Sequence, residues 1–257
     1  MRYHDSSAGI GAGQFRTTCW SAVLLSAQSE ATGSDIAREE LCRLYWYPLY
    51  AFVRRRGHSP EDAKDLTQGF FLSLFRRRSL DQVTPIKGKF RAFLLASLKN
   101  YLSTEFYREK TVKRGGNVEF VPLDFASGDD QYTNEPSAAL TPEKVFDARW
   151  AMTLLDLAMA QLRAEYDGRG KLAAFDTLKP FLDFGNTDNL PTYETVAQKL
   201  QIGQGAVKTL IHRLRKRHAQ ILRQEVGRTV SDPGEVDNEI RALCDAMVAA
   251  EGLLTSA

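Results

Sequence analysis

Apolar residues along this chain recur at spacings of three and four, alternating runs are scarce, and no internal repeat stands out, so the pattern predicts helices throughout. Thr17 or Thr18 offers an N-cap for a first helix with Trp20, Val23, Leu24 and Ala27 on one face. A second is predicted to begin near Ser34 or Asp35, to carry Leu41, Leu44, Tyr45, Leu49, Phe52 and Val53, to kink at Pro48 and to stop at Gly57. Ser59-Pro60-Glu61-Asp62 combines an N-cap, a proline at the first helical position and acids in the first turn. The stripe Ala63, Leu66, Phe70, Leu74 and Phe75 follows it. After Arg76, Arg77 and Arg78, a loop containing Pro85 and Gly88 leads into a helix over 90–107 that carries Phe93, Leu94, Leu98, Tyr101 and Leu102. Gly115 and Gly116 close this block.

From 117 to 142 the periodicity lapses and the chain turns polar and acidic, with Pro122, Gly128, Asp129, Asp130 and Pro136, as an interdomain linker does. Helical periodicity resumes at Thr141-Pro142-Glu143 and runs through Trp150, Leu154, Leu157 and Leu162. A further helix over 175–184 is interrupted near Pro180, and 192–225 divides into two helices around Ile202-Gly203-Gln204-Gly205. The expected fold is all-α: a flexible stretch over 1–16, a small helical domain over 17–116, the acidic linker over 117–142, a second small helical domain over 143–228, and an acidic extension over 229–257. In that extension Ile240, Leu243, Val248, Leu253 and Leu254 suit an amphipathic helix. Packing on the second domain is its simplest use, and binding a partner the alternative.

Composition excludes several classes. With 43% hydrophobic and 26% charged residues in 257, the chain can bury a core and is not broadly disordered. No apolar run approaches the roughly 18 residues that a membrane span needs, and residues 1–13 hold no apolar signal-peptide core, so the expected location is the cytoplasm. Cys19, Cys42 and Cys244 fit no disulfide framework and no metal spacing, and read as small buried apolar residues. His4, His58, His212 and His218 form no zinc-binding pair. No cofactor is expected.

The net charge of +2 conceals strong segregation. Residues 76–114 hold 11 Lys and Arg against three acids, and 193–228 hold eight against two. Between them, 119–147 carry seven acids against one Lys, and 229–257 carry six against one Arg. Two basic blocks separated by an acidic connector suit a chain that meets a polyanion at two places.

The second block has the layout of a helix-turn-helix. Ala197 is small enough for a close helix crossing, Leu200 and Ile202 anchor the turn, and Val207, Ile211 and Leu214 bury one face of the following helix. That leaves Gln204, Lys208, Thr209, His212, Arg213, Lys216 and Arg217 facing outward, where the amino end of the helix reaches base edges and its cations meet phosphates. Gly205 weakens the helix by up to roughly 1 kcal/mol relative to Ala unless it lies in the first turn. In the first block, Phe90, Phe93, Tyr101, Phe106 and Tyr107 interleave with Lys89, Arg91, Lys99, Arg108 and Lys110, a composition suited to single-stranded nucleic acid. Phe93 and Tyr101 fall on the apolar stripe and are assigned to the core, whereas Lys87, Lys89, Arg91, Asn100 and Arg108 are assigned to a nucleic-acid surface.

Three motifs in this order carry a resemblance to a family. Asp62-Ala63-Lys64-Asp65-Leu66-Thr67-Gln68-Gly69-Phe70-Phe71 is similar to the D-A-E-D-L-x-Q-e-x-F segment of sigma-70-type RNA polymerase sigma factors. Phe90-Arg91-Ala92-Phe93-Leu94-Leu95 with Asn100 resembles the F-R-x-W-L helix that follows in the family. Residues 191–197 with 205–209 and 213–216 resemble its sigma4 helix-turn-helix. Lys64 stands where an acid is usual and Phe93 where Trp is usual. The whole resembles the extracytoplasmic-function class, which keeps only the sigma2 and sigma4 domains, over about 18–114 and 143–226.

The resemblance implies a non-enzymatic protein whose partners are core RNA polymerase, through the beta-prime clamp helices and the beta flap, promoter DNA, and in some members an anti-sigma factor. It places polymerase docking on Asp62, Asp65, Leu66, Gln68 and Phe71. It gives minus-ten opening to the segment holding Lys87, Lys89, Arg91, Asn100 and Arg108, and minus-thirty-five recognition to the helix over 204–218. Two alternatives stand beside it. A stand-alone helix-turn-helix regulator explains 193–228 but not the aromatic, basic block. A nuclease would need paired acids at a metal-binding spacing, and the acids in the basic blocks are few and scattered.

Overall fold

The computed structural model describes residues 34–76, 89–111, 140–182 and 190–250, which form helices and contain no strand element. The expected helix bearing Trp20, most of the acidic connector, and Leu253 and Leu254 lie outside the described residues. Helix α1, Ser34–Arg55, has Asp35 in its first turn and Arg54 and Arg55 in its last, as the helix dipole favours, and continues through Pro48. It ends at Gly57, whose φ of 92° is one that glycine alone adopts without strain. Helix α2, Pro60–Arg76, is capped as its sequence predicts: the Ser59 hydroxyl accepts from the Asp62 amide at 3.1 Å and donates to the Asp62 carboxylate at 2.7 Å. Helix α3 is Phe90–Thr111.

Helix α4, Pro142–Asp167, starts at the Thr141 cap, whose side chain accepts from the Lys144 amide. Helix α5, Leu172–Leu178, tightens into the 3₁₀ turn Lys179–Leu182 where Pro180 removes a backbone donor. Helices α6, Tyr193–Leu200, and α7, Gln204–Gly227, form the expected pair. After the 3₁₀ turn Pro233–Glu235, helix α8, Val236–Ala250, occupies the acidic extension. None of the described helices is long and apolar enough to cross a membrane.

Two large apolar cores organise these helices, and α4 belongs to both; a smaller third cluster gathers Ala51, Leu140, Val145, Ala148 and Ala250. The first gathers Leu41, Tyr45, Leu49 and Phe52 of α1, Phe70, Phe71 and Leu74 of α2, Phe90, Leu94 and Leu98 of α3, and Phe146, Trp150 and Leu154 from the first half of α4. The second gathers Ala158 and Leu162 from the second half of α4 with Phe175, Leu178, Val196, Val207, Ile211, Leu214 and Ile221. At 1.5 Å per residue the 26 residues of α4 span about 39 Å, enough to run through both.

The extension packs against helices of the 143–228 span, but its apolar side chains enter the first core. Val226, Val230, Val236 and Leu243 join the first core rather than the second, and α8 lies against α4 and α7. Its inner face is Val236, Leu243 and Ala250 with the partly buried Ile240 and Met247, so Val248, expected on the apolar stripe, is 67% exposed. The cysteines divide as well. Cys42 is buried in α1, where burial pushes its thiol up to about 12, whereas Cys244 is exposed and Cys19 lies outside the described residues.

Candidate nucleic-acid and polymerase interfaces

The α6–α7 pair is built by local signals. Thr192 caps α6 by accepting from the Thr195 amide at 3.1 Å. Gln201 ends the helix in the left-handed region at φ 55°, and the Ile202 amide donates back to the Ala197 carbonyl at 3.0 Å. That geometry usually goes to glycine, and a side chain there costs on the order of 1 kcal/mol. Gly205 is the second residue of α7, the first-turn position that its weak helix propensity requires, and the space around it is open. Val196, Ala197, Val207, Ile211 and Leu214 are buried as the motif predicts.

On the opposite face of α7, Gln204, Lys208, Thr209, His212, Arg213 and Lys216 are exposed. The Lys208 ammonium lies 5.8 Å from the Tyr193 ring centre, and the Thr209 hydroxyl donates to the Gly205 carbonyl at 3.1 Å. Arg217 is placed differently. Its guanidinium makes two hydrogen bonds to Glu165 of α4, at 2.9 and 2.5 Å. The hydrogen bond from Arg217 holds the Glu165 carboxyl below its ordinary range and raises the guanidinium in return. Arg217 thus ties α7 to α4, and His218, one residue later, is buried, with its pKa lowered by desolvation.

On α2, Asp62 and Asp65 are exposed and Leu66 is half-buried, but Gln68 and Phe71 are buried. The Phe71 ring stands 5.7 Å from that of Phe70 and 5.8 Å from that of Phe75, so it packs in the core and presents no surface to a partner. Gly69 makes room for α3, because a Cβ there would lie 2.3 Å from the Tyr101 hydroxyl. Phe93 and Tyr101 pack against the core as expected, and Phe106 and Tyr107, at the far end of α3, are exposed with their rings edge to face at 6.0 Å.

The residues assigned to the minus-ten surface separate. Asn100 is exposed on α3, Arg108 lies within α3 with its side chain outside the described residues, and Lys87 is outside them altogether. Lys89 and Arg91 converge on Glu239 of α8, with Lys89 Nζ at 2.6 Å and Arg91 Nε at 2.5 Å from its two oxygens. Arg91 also bonds Asp147 of α4 and lies 5.5 Å from the centre of the Trp150 ring. The Arg91 side chain is 12% exposed and that of Glu239 is fully enclosed.

Sequence reading missed Glu239, although a signal was present. The acid lies three residues after Val236 and four before Leu243, on the apolar stripe, where an unpaired carboxylate is unaffordable. Burial by itself raises this carboxyl, but hydrogen bonds from Arg91 and Lys89, with their charges, bring it below its ordinary value. The stability that it contributes is therefore present above the ordinary carboxylate pKa of about 4.3 and is lost as pH falls through the lower folded value. Asp147, facing the same guanidinium, is pushed up by burial despite Arg91, so it takes up a proton on folding and offsets part of that loss. Urea midpoints measured from neutral pH down to about pH 3 are expected to fall steeply at the acid end, and Glu239→Gln is expected to flatten that limb. An unchanged limb in the variant would assign the acid sensitivity to other groups.

Residues 43–111 match the family model described as Sigma-70 region 2. The match runs from α1 through α2 to the end of α3 and supports a sigma-70 family sigma factor, a class that binds RNA polymerase and melts promoter DNA. Helices α6 and α7 lie beyond it. No curated protein and no solved structure matches the chain.

Proposed function

We propose that this protein is a sigma factor of the extracytoplasmic-function class, which binds core RNA polymerase and directs it to promoters without making or breaking a bond itself. The observation that carries the reading is the region-2 match over 43–111, within which Asp62 and Asp65 stand exposed on α2. The α6–α7 unit supports a second, minus-thirty-five contact. Six polar or cationic side chains, from Gln204 to Lys216, share an exposed helix face of the kind that enters a major groove. In this reading α2 docks on the polymerase clamp, α3 meets the minus-ten element, and α7 reads the minus-thirty-five element.

The test is gel filtration of the full chain with sigma-free bacterial core polymerase, beside Asp65→Lys, which reverses one exposed charge and leaves the α2 cap intact. Wild type is expected to co-elute, and the variant to lose most of its binding. Failure of wild type to bind cores from several bacteria would overturn the sigma reading in favour of a stand-alone helix-turn-helix regulator of duplex DNA.

A further inference from the structure

Lys89 and Arg91 stand at the start of the third helix of the region-2 match, and in this structure both grip one carboxylate from residues 229–250, which Arg91 shares with Asp147 of α4. The closure has three independent parts. Glu239 sits between the two cations. The backbone joins in, since the Phe90 amide donates to the Thr229 carbonyl at 2.9 Å and Lys89 pairs with Val230 in an antiparallel bridge. Val230, Val236 and Leu243 then bury apolar surface in the core beneath. At its outer edge, α8 holds to α7 through the exposed pair of Arg223 and Asp237.

A carboxylate gripped by a lysine and an arginine at the start of a helix occupies a place that a phosphodiester would equally fill, because both are acceptor-only anions that suit a guanidinium and a helix amino end. The segment supplying it is itself polyanionic, with six acids to one arginine over 229–257. We propose that residues 229–250 form an intramolecular clasp that stands in for the nucleic-acid backbone at Lys89 and Arg91, closing that surface in the free protein and giving way when promoter DNA engages it. The inference rests on the sigma reading above. Nucleic acid binds the open state, so the apparent affinity of the free chain is its intrinsic affinity reduced by the open fraction. Releasing the clasp raises that fraction without adding any contact.

The experiment uses the full chain and labelled single-stranded DNA of mixed sequence, read by fluorescence anisotropy. Glu239→Gln removes the charge that holds the clasp and is expected to tighten binding about tenfold. Asp245→Asn removes the same charge from an exposed site on α8 and is expected to change it less than about twofold. Equal gains in the two variants would reduce the effect to net charge and overturn the clasp, as would no gain in a Glu239→Gln protein whose circular dichroism matches wild type.

Hydrogen exchange of wild type decides the matter even where Glu239→Gln fails to fold. In the complex with core polymerase and promoter DNA, amides of 229–250 are expected to exchange at least about tenfold faster than in the free chain. Unchanged protection there overturns the clasp and leaves the sigma reading standing, whereas a chain that forms no complex with core polymerase overturns that reading and the clasp with it.

Discussion

Trp150→Ala is expected to destabilise the protein by about 3–5 kcal/mol, read as a lower urea midpoint by circular dichroism. The indole is fully buried, stacks at 6.0 Å on Tyr45 of α1, and carries the Arg91 guanidinium over its face. Its removal leaves a cavity where α1, α3 and α4 meet, and takes away the surface on which Arg91 rests. Because typical domains are stable by only 5–15 kcal/mol, a loss of this size consumes much of the margin. The second core, around Leu162 and Leu214, does not touch Trp150 and is expected to persist, so the variant should unfold in two steps. A single transition displaced by less than about 1 kcal/mol would show that burial of this ring does not hold the first core together.

Arg91→Ala is the second large effect, again about 3–5 kcal/mol, for an electrostatic reason. Alone, the substitution leaves Glu239 enclosed with Lys89 as its remaining cation, and frees Asp147. The cost is the desolvation of an under-compensated carboxylate more than the lost attraction itself. The double variant Arg91→Met with Glu239→Met removes the two enclosed charges and leaves Lys89 and Asp147 with the solvent that their partly exposed side chains already reach. It is expected to recover most of the stability, since a buried ion pair replaced by apolar groups of similar volume is often neutral or better. If the double variant were as unstable as the single one, packing of the guanidinium on Trp150 would be the dominant contribution. Both are read as urea unfolding free energies at neutral pH.

The helices themselves were legible because their signals are local. Ser59 before Pro60, Thr141 before Pro142 and Thr192 before Tyr193 each mark a cap that the structure keeps, and the spacing of Val207, Ile211 and Leu214 places one face of α7 inward. Six of the seven side chains assigned to the other face are exposed by the same periodicity. The motif over 62–71 was equally visible as a string, but a string does not say which members point outward. Phe71 and Gln68 turned into the core, and Asp62 and Asp65 away from it.

Pairings between distant segments are what sequence could not supply, because charge counts and periodicity carry no record of which faces meet. Lys89 and Arg91 read as free cations of a basic block, and 229–257 as an acidic tail. Only the fold brings Glu239 to them across about 150 positions. The same holds for Arg217, which periodicity turns outward and which Glu165 of α4 captures from the side. The amino-acid sequence alone determined the helical class, the caps, the break between α6 and α7 and the two basic blocks, since each depends on neighbours within a few turns. The tertiary structure decided that α4 runs through both cores, that the last helix packs on the first of them, and that its one inward acid closes over two cations. Those are burial decisions, set by which apolar faces find each other and by the need of each buried charge for a partner.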